Sequence, residues 1–523
     1  MIIRNTNTAI RSHLIRSYDL FSNGKEFALT DLFDTYLQMQ PSLHSLLTNP
    51  KQIDTPALNY SLARLPKEIF LTQKIIFGQT DADFINSGIV SFSRWQEVNS
   101  PSRRRYYRFD PSRGMLLVYI SSDSDLDDFV STLLSLALEV NKIIENRLPC
   151  PDSVNLTLAP NLKKITLLVT PHNQDGYQQI VKGWLETISA KSLMLDLANT
   201  PVYLVSSNTH SLVNIIGGYV RLSQDQIFNY VTSHHPDLAA VWENIKSGGN
   251  QIRTNDFLYY ASGVYFKENP LEQRFRQEYE TGLGIHSVSS QTALASEVQF
   301  IPLNALSSSR YADSNLIIPN PQALTASKAL IINFDYPLGW AAYFLLRQLL
   351  SFFKQVKGVY IIGKAAILTG NVGDIQIPTT VYDEKTGNTF KLSNVFNSQF
   401  NYQGLQTEIL NNQKAVCVYG TYLENSSQLN GYIDTGFNII EMESGPYLTA
   451  FSEHFNITPS GTSGQNINLT TPPLDLGIIN YASDNPLTQN LGAGAMALRG
   501  IEPTYLASIA AVQRIVNLES GSV

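Results

Sequence analysis

A chain of 523 residues, 43% hydrophobic and 15% charged, has room for two to four domains with sizeable cores and is too apolar for long disordered tails. Its net charge of −7 argues against nucleic acid as a partner, because phosphate binding draws on a basic surface. Two cysteines, Cys150 and Cys417, form neither a disulfide framework nor a metal-ligand pattern, and two reduced thiols point to a cytoplasmic compartment.

The first segment, MIIRNTNTAIRSHLIRSYDLF, lacks the apolar run of a signal peptide. Residues 1–110 are expected to form a mostly helical region. At its end RRRYYRFDPSR, Arg103 to Arg113, interleaves bases with aromatics. That pattern fits single-stranded nucleic acid. In an acidic chain, a strand face or an intramolecular acid partner fits it better.

Residues 111–255 are expected to form a small α/β domain with a possible regulatory role. MLLVYIS (115–121) is a strand candidate. Ser124 or Asp125 then caps a helix whose Leu126, Phe129, Val130, Leu133, Leu134 and Ala137 fall on one face. Pro149 and Pro151 close that unit. KITLLVT (164–170), a helix over 174–188 and PVYLVSS (201–207) continue the β/α alternation. SSNTHSL (206–212) opens a helix, either as an ordinary cap or as a phosphate-binding turn with His210 nearby.

Residues 256–523 carry the sharpest pattern. A charged helix is expected over 267–283, and Pro319 and Pro321 mark a boundary. Strand candidates are ALIINF (329–334), VYIIG (359–363), DIQIPTTV (374–381), AVCVYG (415–420), FNIIEM (437–442) and LGIINYA (476–482). A helix over 338–356 is apolar nearly all round, with Tyr343, Arg347, Ser351 and Lys354 in one stripe. Asp335, Pro337 and Arg347 interrupt the apolar stretch around it, so no membrane span is expected. Further helices begin near Ser444 and Pro503. This alternation implies a sheet covered on both faces, with ligands at the carboxyl ends of its strands.

Three short motifs fall at those ends. In EMES, Glu441 to Ser444, a strand gives way to a helix. Glu443 there is either a helix-N-terminal acid favoured by the macrodipole or a diol ligand, since a carboxylate accepts from both hydroxyls of a ribose. Met442 beside it can pack against the sugar. In NYASDNPL, Asn480 to Leu487, Asp484 is either turn chemistry or a general acid. In VYIIGKAAILTGNVGDIQIP, Gly363, Ala365 and Ala366 either cross between buried strands or let a flat ligand approach the backbone.

These pieces, in this order, resemble the purine nucleoside phosphorylase and nucleosidase superfamily, nearest to AMP nucleosidase-like proteins, over about Ser327 to Leu518. The resemblance implies an α/β fold: a C-terminal phosphorylase/nucleosidase-type α/β/α domain with a central mixed sheet, preceded by the helical and α/β N-terminal region. It implies cleavage of a purine N-glycosidic bond in a nucleoside or nucleotide, without a cofactor or metal, in an enzyme that commonly associates as a homo-oligomer. Asp484 and Glu443 take the catalytic positions, Asp484 towards the base and Glu443 on the ribose. Met442, Glu441, Ser483, Gly363, Ala365 and Tyr422 take substrate-binding positions, with Glu441 as a supporting residue or an exposed cap. The chain departs from the family at Asp335 and Pro337, where a glycine-rich phosphate turn is usual, which disfavours phosphorolysis. Ala365 and Ala366 replace paired glycines and are expected to narrow the base pocket or close it. No phosphate-binding arginine matches; Arg310 and Arg499 are candidates by composition alone. The loop over 456–475 is either a candidate lid or a disordered insertion with no role. The alternatives are a phosphorylase, and a nucleotide-binding or assembly module of the same fold without turnover.

Overall fold

Two sheets organise the chain. The computed structural model describes residues 8–102, 105–149, 151, 154, 159–171, 174–191, 196–248, 251–289, 296–397, 407–488 and 497–521. Arg103, Arg104 and Cys150 lie outside them.

The first sheet contains β1 (Phe27–Ala28), β2 (Lys74–Gly78), β3 (Gln96–Val98), β4 (Tyr107–Asp110), β5 (Met115–Tyr119) and β6 (Thr166–Val169), in the order β1-β6-β2-β5-β4-β3. Central β2 is parallel to both β5 and β6. Its sequence, KIIFG, is apolar on both faces, as a covered parallel strand requires. The helix Asp123–Glu145 packs over it, with Leu126, Phe129, Val130, Leu133, Leu134 and Ala137 in the same core as Ile75, Phe77, Leu116 and Val118. Ser122, not Ser124 or Asp125, is its N-cap, accepting from the Asp125 amide. Arg105 is buried and paired with Asp125 and Asp128 on that helix. Arg108 pairs with Asp81 and lies over the Phe92 ring. The described bases of the Arg-aromatic strand therefore face acid partners within the chain.

The large sheet contains β7 (Pro201–Ser206), β8 (His286–Ser289), β9 (Glu297–Pro302), β10 (Leu330–Phe334), β11 (Gln355–Ile367), β12 (Ile375–Asp383), β13 (Thr389–Leu392), β14 (Ile409–Cys417), β15 (Ile439–Glu441), β16 (Asn466–Leu469) and β17 (Asp475–Asp484). The order is β16-β13-β12-β14-β15-β11-β7-β10-β9-β8, with β17 bridging β11 and β12. The pairs β11–β15, β15–β14, β14–β12, β12–β17 and β17–β11 close a ring of five strands. Both parallel and antiparallel pairs occur, so the sheet is mixed. Helices Gln174–Lys191, Ala341–Phe352 and Ser444–His454 cover one face, and Ser211–Gly217, Gln251–Glu268 and Ile501–Glu519 the other. The architecture is α/β, with a central mixed sheet between helical layers.

The sheets redraw the expected boundaries. A break at 110 would separate β4 from β5, which pair from Tyr107↔Val118 to Asp110↔Met115. The span 111–255 is not one small domain. β5 and β6 stay in the first sheet, whereas β7 inserts between β10 and β11. The apolar run of β7 is buried on both sides by those parallel neighbours. The helix before it buries Trp184 and Val181 against Val202 and Leu204 of the large sheet. The helix expected over 267–283 is Pro270–Gly282, and a separate helix, Gln251–Glu268, precedes it; Pro270 supplies no amide to continue that one and starts the next. Among the described residues no helix is long and apolar enough to cross a membrane.

Candidate functional site

The carboxyl ends of β11, β15 and β17 meet at one cavity of about 400 Å³. β15 ends at Glu441, and the helix Ser444–His454 starts three residues later. Glu441 is buried and accepts hydrogen bonds from the Glu443 and Ser444 amides, both at 2.7 Å. It therefore caps the helix, from the interior rather than the surface. Burial, then the neighbouring Glu443 charge, push its carboxyl up to about 8. With the helix terminus served by Glu441, Glu443 is released to the cavity. Its Oε1 accepts from the Gly339 amide at 3.1 Å. Gly339 follows β10 in a left-handed conformation, φ 53°. Met442 lines the cavity between the two acids, with its sulfur 4.0 Å from the Thr421 hydroxyl.

Asp484 ends β17 and lines the same cavity as Glu443. The Ser483 hydroxyl lies 3.0 Å from Asp484 Oδ1 and 3.2 Å from the Ala365 carbonyl. Opposite these residues the β11–β17 register shifts between Ala365 and Ala366. A bulge re-aims side chains at a strand end, and here both alanines face the cavity. Their methyl groups line it without closing it. Gly363 does not contact this cavity. It lines a neighbouring one of about 570 Å³.

Two cations sit where the cavities meet. Arg64 and Lys364 line both, together with Ser102, Leu338 and Glu443. Arg64 ends the helix Thr55–Arg64 and lies 3.3 Å from the centre of the Tyr60 ring. Its buried Nε has no hydrogen-bond partner among the described residues. Desolvation, then the Arg64 charge, lower the pKa of Lys364, and Asp484 acts in the opposite sense. Sequence reasoning missed both residues. Lys364 was in view as part of the Gly-Lys turn; Arg64 lies some 300 residues away in the other sheet's region and carries no local signal. Arg310 and Arg499 are exposed and line neither cavity.

A second buried acid, Glu424, lines the cavity, and its two carboxyl oxygens lack partners among the described residues. Burial and the adjacent Glu384 raise its pKa well above the usual carboxylate range. Glu384 accepts from the Tyr432 hydroxyl and the Gln428 amide.

Two further expectations are corrected, and the choice left open at SSNTHSL falls to the ordinary cap. Tyr422 is fully buried and lines neither cavity. Its hydroxyl donates to the Ala57 carbonyl at 3.0 Å and lies 3.1 Å from Ser61 Oγ, so it anchors the two sheet regions to each other. The segment 456–475 contributes β16 to the sheet edge beside β13, and none of its residues lines a cavity. A polar sequence pattern does not distinguish a lid from an edge strand, whose exposed side is also polar. In SSNTHSL, the Asn208 side chain accepts from the His210 and Ser211 amides, so those donors serve the helix start. Among the described residues no group of three or more His, Cys, Asp or Glu side chains is placed to hold a metal ion.

A family model described as a family of unknown function, DUF6909, matches residues 29–157 and 152–517. The chain belongs to that family. The first matched segment holds β2 to β5 of the first sheet, and the second holds β6 together with the whole large sheet. No curated protein matches this DUF6909 member. Solved structures similar to it include a Streptococcus pneumoniae 5′-methylthioadenosine/S-adenosylhomocysteine nucleosidase, at 12% identity, 44% of this chain, 90% of that chain and a TM-score of 0.28. A putative methylthioadenosine nucleosidase from Weissella paramesenteroides gives 11%, 44%, 90% and 0.29. Isoform 2 of uridine phosphorylase from Schistosoma mansoni gives 14%, 38%, 75% and 0.25. At such TM-scores these likenesses carry no functional weight, and the case for function rests on the cavity.

Proposed function

We propose that this DUF6909 member hydrolyses the N-glycosidic bond of a purine nucleoside or nucleotide. The observation that carries the reading is that Glu443 and Asp484, 41 positions apart in sequence, line one ligand-sized cavity. The base lies between the apolar side chains of Val418, Leu429 and Ile440. Glu443 accepts from the ribose hydroxyls, with Oε1 also oriented by the Gly339 amide. Met442 packs on the sugar. As the C1′–N bond breaks, its electron pair passes to the base, which takes a proton or a strong hydrogen bond from Asp484. The sugar becomes oxocarbenium-like, and the fixed Glu443 carboxylate stabilises that charge more than it stabilises the ground state. Water adds to C1′ and releases a proton.

The test is release of free purine from adenosine, inosine and AMP in phosphate-free buffer. Glu443→Gln and Asp484→Asn should each lower the rate by about 10²-fold or more, equal to about 2.7 kcal/mol of lost transition-state stabilisation. Release that requires added phosphate would support a phosphorylase instead. A second reading is a binding module of the same fold without turnover. It draws on Lys364, whose charge beside Asp484 favours the ionised carboxylate over the proton donor. Ligand-dependent thermal stabilisation with no product would select it.

A further inference from the structure

The second cavity is larger than the proposed reaction cavity, at about 570 against 400 Å³. Each alone falls within the range of about 300–1,000 Å³ common for small-molecule sites. The two share a wall of Arg64, Ser102, Leu338, Lys364 and Glu443. Glu443, the proposed ribose ligand, therefore sits at the boundary, with space on both sides.

The two sides differ in chemistry. The second cavity is lined by five tyrosines, Tyr259, Tyr260, Tyr336, Tyr481 and Tyr505. Tyr260 and Tyr336 are 40% and 38% exposed, unusual for large aromatics at a fold's interior seam. Tyr336 and Tyr481 are linked hydroxyl to hydroxyl at 3.1 Å. The lining also includes a buried acid: Asp256 is 1% exposed, its Oδ2 is held by Arg253 at 3.0 Å, and its Oδ1 has no partner among the described residues. Burial raises the pKa of Asp256 to about 8. The other lining acids are engaged: Asp125 with Arg105, and Asp335 with the Tyr336 amide. Aromatic faces with a hydrogen-bonding acid suit a heterocycle. Arg64 and Lys364 at the shared wall suit an anionic linker.

Building on the glycosidase reading, we infer that the ligand is a dinucleotide: one nucleoside in the first cavity, its phosphate linker at Arg64 and Lys364, and a second heterocycle among the tyrosines around Asp256. A mononucleotide fills the first cavity and the wall only.

The test uses the full chain with adenosine, AMP and diadenosine diphosphate as probes. Binding is read by titration calorimetry, and adenine release by chromatography. The dinucleotide should bind at least about tenfold more tightly than AMP. Tyr260→Ala should bring that ratio towards one, Tyr260→Phe should retain it, and Lys364→Gln should weaken both phosphorylated ligands relative to adenosine. A dinucleotide that binds no more tightly than AMP, or a ratio that survives Tyr260→Ala, overturns the inference. The two proposals fail separately. AMP hydrolysis with an equal-affinity dinucleotide leaves the glycosidase and removes the second subsite. Tight, tyrosine-dependent dinucleotide binding without base release does the reverse. No binding by any probe overturns both.

Discussion

Glu441 and Glu443 show how two similar side chains two positions apart acquire different work. Glu441 is turned to the helix amides and buried, so ionising it costs desolvation. Its carboxyl is raised from 4.5 to about 8. A carboxyl raised on folding contributes stability that is complete below its unfolded pKa and is lost as pH rises through its folded pKa. Between about pH 4.5 and 8 the native protein should therefore lose stability on account of this group. Glu441→Gln cannot ionise and should escape that loss. The Tm difference, variant minus native, should rise with pH by several °C between pH 5 and 9, measured by calorimetry; a flat difference would contradict the buried cap. The pair was partly legible in sequence. EMES at a strand end marked the place, but which acid caps and which faces ligand depends on the direction the chain leaves β15, and that is set by packing.

At the scale of elements, β7, β10, β11, β12, β14, β15 and β17 were legible because apolar runs bounded by turns leave little choice of structure, whereas the more polar β8, β9, β13 and β16 were not. Their partners were not. β7 sits some 120 residues ahead of β10 in the chain yet pairs with it in register from Leu330↔Val202 to Phe334↔Ser206. Nothing in PVYLVSS distinguishes that neighbour from β6. The turn after β10 was read as hostile to phosphate because of Asp335 and Pro337. The structure assigns it another duty, holding Glu443 through the Gly339 amide. Gly339 also abuts the first sheet's region, where an added Cβ would lie 2.5 Å from Ser124 Cβ. With φ 53° as well, Gly339→Ala should destabilise the protein by about 2 kcal/mol or more, seen as a lower denaturation midpoint. An unchanged midpoint would show that the turn yields easily.

For the molecule as a whole, the N-terminal region is a wall of the site. Ser42, Tyr60, Arg64 and Ser102 line the first cavity, and Tyr422 reaches back to hold their scaffold. The misassigned Tyr422 shows the limit of local reading: a tyrosine after a buried strand looks the same whether it faces ligand or a second sheet. Tyr422→Phe should cost about 1 kcal/mol through the lost hydroxyl bonds, and Tyr422→Ala about 3–5 kcal/mol. Chemical denaturation measures both. In the Phe variant the KM for base release should stay within about twofold of the native value, and a large rise would restore Tyr422 to the substrate.

The joint placement of Arg64 and Lys364 carries a consequence for how the protein assembles itself. Two like charges from opposite halves of the chain face each other, with Asp484 acting against their repulsion at Lys364, so closing the halves brings together groups that repel. An anion lodged between them would convert that repulsion into a clamp. The tightness with which the halves hold each other would then track the supply of ligand, and a starved molecule would breathe at the seam where a loaded one is shut.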